Sequence, residues 1–216
     1  MRQTSMKIFR PHARLVLATI AGLWFAVTSA SASMIRDSEI EAGLEGLMAP
    51  LVEAAGFPEG GVRIRIIINP SYNAFVAGKR VIYVHSGLLT EASDAREFLG
   101  VMAHELGHVA EQHALRQIMR SAVIGIGIGL FLGNEDSVLE EIVGFGGSLV
   151  LMENSRGFEL EADSLSAGWM AEIGRDPQAL VRFFKRLSDE CGDLCDGGGM
   201  LASHPSFRDR VRALSE

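Results

Sequence analysis

The chain has 216 residues, 48% of them hydrophobic, and a formal net charge of −7. That length and apolar content suit one domain with its own core and leave no room for a second large module. The acidic balance argues against a nucleic-acid binder.

The first 32 residues carry only Arg2, Lys7, Arg10 and Arg14 as charges. An apolar run from Leu15 to Val27 and the small-residue triplet Ala30-Ser31-Ala32 follow. This is the layout of a secretory signal peptide cut after residue 32. No cysteine follows the apolar run, so a lipid anchor is not expected. Removing those four basic residues leaves 16 basic against 27 acidic side chains, a net charge of −11 over residues 33–216, which form the single expected domain.

Val62, Ile64, Ile66 and Ile68 alternate with Arg63, Arg65 and Ile67, the pattern of a strand with one buried face, and Asn69-Pro70-Ser71 ends it. Two further strands, 73–76 and 80–85, flank the turn signal Gly78-Lys79. Together they predict a small antiparallel sheet whose edge could pair with an extended peptide.

Asp94 and Glu97 precede an apolar stripe of Phe98, Leu99, Val101, Met102, Leu106, Val109 and Ala110, predicting one helix from about 94 to 120. On it lies His104-Glu105-Leu106-Gly107-His108. Residues four apart share a helix face, so both imidazoles reach one metal ion, and Glu105 stands beside them as a base toward a metal-activated water. Gly107 costs helix propensity and leaves space for another backbone or a substrate. A metzincin would need Gly at 111 and His at 114, but Glu111 and Ala114 stand there. His113 is out of register and reads as a solvated helix residue.

Residues 122–132 and 142–152 are apolar, glycine-rich and too short to span a bilayer, which predicts a packed helical hairpin. Loose association with a membrane surface stays open. Downstream, Glu159 and Asp163 share a helix face. Glu159 supplies a third ligand, Asp163 can accept the outer N–H of a ligand histidine, and Glu161 points elsewhere. Cys191 and Cys195, four apart in an exported chain, are candidates for a small-loop disulfide. His204-Pro205 and Arg210 close the chain. A histidine near a zinc site can stabilise an oxyanion, and Arg210 could anchor the last helix or pair with a site carboxylate, a structural pairing being favoured.

Joined in this order, His104 to His108, Glu159 to Asp163, Asn73-Ala74-Phe75, Gly87-Leu88-Leu89 and His204-Pro205 with Arg210 resemble a zinc endopeptidase family. That family contains the CAAX prenyl protease, HtpX, Oma-type mitochondrial proteases and periplasmic BepA-like enzymes. The resemblance spans about residues 35 to 212. It implies a mostly helical α+β gluzincin-type domain with a small antiparallel sheet beside the metal helix and one Zn2+ held by His104, His108 and Glu159. It further implies catalysis by Glu105, with His204 and Asp163 in support, and quality-control proteolysis of misfolded envelope proteins in the periplasm. In such proteins the equivalent of His204 has also been viewed as an occupant of the open metal position. No helical-repeat extension is expected after Arg210. A different class, a chaperone-like binder of unfolded envelope proteins, has no need for Glu105.

Overall fold

Asp37 accepts hydrogen bonds from the backbone N–H groups of Glu39 at 3.0 Å and Ile40 at 3.2 Å, and so caps helix α1, Ser38–Ala54. The computed structural model describes residues 34–35, 37–92, 94–120, 156–191, 200–204 and 207–215. The signal peptide, the apolar stretches of 122–152, Cys195 and Pro205 lie outside the described residues. Strand β1, Met34–Ile35, precedes α1; then come β2, Arg63–Ile67, β3, Ala74–Ala77, and β4, Val81–His85. The remaining described helices are α2, Ser86–Glu91, α3, Ala95–Ala110, α4, His113–Arg120, α5, Arg156–Glu172, α6, Ala179–Cys191, α7, Met200–Ser203, and α8, Phe207–Ser215.

The domain is mostly helical with one small sheet, as expected, but the sheet is mixed rather than antiparallel. Its order is β1-β2-β4-β3. β3 and β4 form the expected hairpin around Gly78, which takes the left-handed φ of 71° that the turn requires. β4, however, lies parallel to β2, pairing Ile64 with Ile82 and Ile66 with Val84. Burial explains the order. Ile82, Tyr83, Val84 and His85 are all buried, so β4 belongs in the middle of the sheet, while β3, with two half-buried residues, takes the edge. The 68–73 connection leaves the place beside β2 free, and it is tied down where the Gly87 N–H donates to Asn69 O at 2.9 Å. Ile68, expected inside, is exposed beyond the end of β2.

α3 packs against α1, α5, α6, β3 and β4. Asp94 caps it, accepting from Arg96 N–H at 2.8 Å and Glu97 N–H at 2.9 Å. The Glu97 side chain does not close a capping box; it is buried and pairs with Arg186 at 2.9 Å. Two glycines set how closely the neighbours approach. A Cβ on Gly100 would lie 2.6 Å from Leu180 N of α6, and one on Gly107 would lie 2.8 Å from Ala162 Cα of α5. Every residue from Glu97 to Val109 is buried. Glu97, His104, Glu105 and His108 are therefore polar groups in the interior, and the fold must supply their partners.

The expected helix over 94–120 is in fact two. It breaks at Glu111 and Gln112, where Gln112 takes φ 53°, and α4 sets off in a new direction. Beyond Ala110 the apolar stripe stops, so nothing buried holds the helix on its course.

Candidate metal centre

Gly107 and Ala162 bring α3 and α5 into backbone contact, and this places the two carboxylates of α5 against the two histidines of α3. His104 Nε2 lies 3.0 Å from His108 Nε2 and 3.3 Å from Glu159 Oε2, and His108 Nε2 lies 3.4 Å from Glu159 Oε1. His204, just after α7, adds its Nδ1 at 3.2 Å from His104 Nε2 and 3.1 Å from Glu159 Oε2. All four side chains are buried, and one donor atom from each lies within 4.8 Å of the others.

The Nδ1 side of each α3 histidine is engaged outward. His104 Nδ1 donates to Asp163 Oδ1 at 2.9 Å. Arg210 of α8, fully buried, grips the same carboxylate with a two-pronged fork, Nε to Oδ2 and Nη2 to Oδ1, both at 2.7 Å. Its Nη1 reaches Glu159 Oε2 at 2.7 Å. Arg210 thus serves two site carboxylates as well as its own helix. His108 Nδ1 meets His113 Nδ1 at 2.8 Å, and His113 Nε2 meets Glu161 Oε2 at 3.1 Å. His113 is buried, not solvated, and Glu161, expected to point elsewhere, is its partner. The break at Gln112 makes this contact, and the polar run Glu111-Gln112-His113 after the apolar stripe is the one sequence signal that could have pointed to it.

Electrostatics set the protonation of the metal-free site. Burial, helped by the neighbouring His104, pushes His108 down to about 3, so its ring is neutral. Burial and Arg210 also disfavour charge on His104, but its hydrogen bonds to Asp163 and Glu159 outweigh them and raise it to about 9. Burial alone would raise Glu159 and Asp163. The surrounding histidines hold Glu159 well below the ordinary carboxylate range, and Arg210 with His104 holds Asp163 at about 2. At Glu105 burial prevails over the lowering pull of His204, His104 and Arg210 and raises its carboxyl. Its two oxygens accept no hydrogen bond, and His204 Nε2, 3.3 Å from Oε1, is its near neighbour.

These residues fit a zinc ion. Donors around a tetrahedral ion at 2.0–2.1 Å stand about 3.3 Å apart, close to the spacings within the cluster. With both Nδ1 sides engaged outward, His104 Nε2 and His108 Nε2 turn their lone pairs toward each other, an arrangement that only a shared proton or cation makes favourable. With His104 neutral, as a metal ligand must be, three carboxyl groups (Glu105, Glu159 and Asp163) face one guanidinium in this buried site, a deficit that a divalent cation balances.

The chain is similar to several known proteins. A putative beta-barrel assembly-enhancing protease of Vibrio cholerae is 29% identical over 188 residues, 82% of this chain and 39% of that protein. The mitochondrial metalloendopeptidase OMA1 of Schizosaccharomyces pombe is 24% identical, covering 77% of this chain and 49% of its own. The metalloprotease YcaL of Escherichia coli is 28% identical, covering 78% and 68%. The chain thus spans less than half the length of the first two relatives. The model of peptidase family M48 matches residues 41–216. On that match, which takes in every residue of the cluster, the chain belongs to peptidase family M48.

Proposed function

We propose that the chain is a zinc-dependent endopeptidase in which His104, His108 and Glu159 hold the metal and Glu105 is the general base. The observation that carries this reading is a buried carboxylate with no hydrogen-bond partner beside four converging donors. Burying such a group costs several kcal/mol at a purely structural position, and burial raises the affinity of its carboxylate for a proton, as a base requires.

Bound at this site, zinc would acidify a water and polarise the scissile carbonyl. Glu105 Oε1 or Oε2 takes the proton of the attacking water and returns it to the nitrogen of the departing amine. Asp163 fixes His104 with Nε2 free, and Arg210 holds Asp163 and Glu159 ionised. His204 Nδ1 sits where a fourth donor would, and its Nε2 lies 3.4 Å from Ala74 O of β3. With the His204 ring in this place the site is latent; swung aside, it leaves room for a substrate and is placed to support the oxyanion. β3 is the edge strand of the sheet and supports main-chain pairing with an extended, unfolded substrate.

The signal-peptide layout and the relatives named for beta-barrel assembly support work in the periplasm on misfolded envelope proteins. Among the described residues no helix is long and apolar enough to cross a membrane. The test is zinc content and casein cleavage of the purified chain beside Glu105→Gln. One zinc in both proteins, with cleavage lost only in the variant, is the expected result. Zinc absent after metal-replete purification, or cleavage kept in Glu105→Gln, would overturn the proposal; a non-cleaving binder of unfolded chains would be indifferent to the substitution.

A further inference from the structure

His108 faces a second histidine on the side away from the cluster, and the chain has gone to some trouble to put it there. In a continuous helix a residue five positions on stands about 140° round the axis and cannot touch it. The left-handed turn at Gln112, unusual for a residue other than glycine, swings α4 so that the His113 ring returns to His108. The His113 ring then stacks on Phe158, with centroids 4.3 Å apart and planes 14° from parallel, and Arg116 covers the same phenyl ring at 4.5 Å. Arg116 also donates to Glu161 at 3.0 Å.

The direction of every proton in this chain of contacts follows from one requirement. For His108 Nε2 to offer a lone pair to a metal, its Nδ1 carries the hydrogen. At 2.8 Å His113 Nδ1 must accept that hydrogen, so His113 carries its own on Nε2 and donates it to Glu161 Oε2. Resting on the metal assignment of His104, His108 and Glu159, we propose that His113 is a positioning residue for His108. Together with Glu161 it forms a relay that fixes the tautomer and orientation of the second zinc ligand, as Asp163 does for the first. The two arms end alike, each in a carboxylate gripped by an arginine. They differ in place: Asp163 and Arg210 are buried, whereas Glu161 and Arg116 are about 40% exposed at 41% and 39%.

The test is zinc affinity of the full chain by chelator competition, with the absorption spectrum of the Co2+-loaded protein as a second reading of the ligand field. His113→Phe preserves the stacking on Phe158 and removes both hydrogen bonds. His113→Gln restores an acceptor toward His108 and a donor toward Glu161. Outer partners of metal ligands are typically worth about 10–100-fold in affinity, so His113→Phe should lose at least about tenfold and shift the Co2+ bands. His113→Gln should recover most of the loss. The metal-free melting temperature of His113→Gln, which lacks the ring that stacks on Phe158, should stay near wild type, which a packing role for His113 would not allow. Should His113→Phe fail to fold, Glu161→Gln at the surface serves instead, with an expected loss of several-fold. Zinc binding within twofold of wild type in whichever of these two variants folds overturns the relay and leaves the metal centre standing. No zinc in the wild type overturns both.

Discussion

Replacing Gly107 by Ala sets two effects of opposite sign against each other. Alanine is favoured over glycine inside a helix by about 1 kcal/mol, so an open site would be stabilised. Here the new Cβ would lie 2.8 Å from Ala162 Cα, 3.0 Å from Ala162 O and 3.1 Å from Ala162 Cβ. Carbon atoms rest about 3.5–4.0 Å apart, so α3 and α5 must separate by roughly 1 Å, because the three Ala162 atoms are backbone or fixed directly to it and cannot rotate away. Overpacking of this kind costs about 1–3 kcal/mol, which leaves the metal-free protein between unchanged and about 2 kcal/mol less stable. The larger effect falls on the site. Glu159 sits on α5 and the histidines on α3, and such constellations tolerate only about 0.5 Å of displacement. Zinc affinity should therefore fall at least about tenfold. Urea unfolding of the metal-free protein and chelator competition measure the two parts separately. A Gly107→Ala protein about 1 kcal/mol more stable, with wild-type zinc affinity, would refute the idea that this contact sets the distance between the two halves of the centre.

Arg210→Met leaves Asp163 and Glu159 buried without their cation, a loss of about 3–5 kcal/mol. For a domain of this size that is a drop of about 6–20 °C in the melting temperature, read by thermal unfolding without metal. Arg210→Lys should not rescue it, since an ammonium cannot span both carboxylates. The metal-free protein should also be acid-sensitive through Asp163. Its carboxyl is depressed in the fold to about 2 from an ordinary 3.8, so the stability it contributes is complete above pH 3.8 and disappears as pH falls through about 2. Urea midpoints between pH 4 and pH 2 should fall less steeply in Asp163→Asn.

How much of this was legible depends on how local the signal was. His104 with His108 and Glu159 with Asp163 are spaced by one helical turn, so their shared faces follow from the period alone, and the structure brings the two pairs together. Asp94 as a cap is equally local. The parallel pairing of β2 with β4 is a contact between distant segments, decided by burial on both faces of β4. The unbroken run Val81-Ile82-Tyr83-Val84 carries that information, but the hairpin signal at Gly78-Lys79 suggests a simple meander. His113 reads as solvated from the sequence because its place depends on one backbone angle at Gln112, and glutamine announces no left-handed turn. Arg210 reaches Asp163 from 47 positions away, and spacing alone cannot choose between that pairing and an anchor for its own helix.

The complete burial of α3 has a consequence for how the molecule can move. A helix covered on all sides from Glu97 to Val109 exposes its amides to solvent only when the whole domain opens, so its hydrogens should be among the slowest to exchange. The segment that carries His204 is held otherwise. Met200 is buried in the core and donates its N–H to Tyr72 O at 2.9 Å, Ser203 Oγ donates to Asn73 Oδ1 at 3.0 Å, and Arg210 Nη1 donates to His204 O at 3.3 Å, so this short segment rests on ties to three separate parts of the fold. α3, which carries both histidines of the pair, is therefore the part of the site expected to open last.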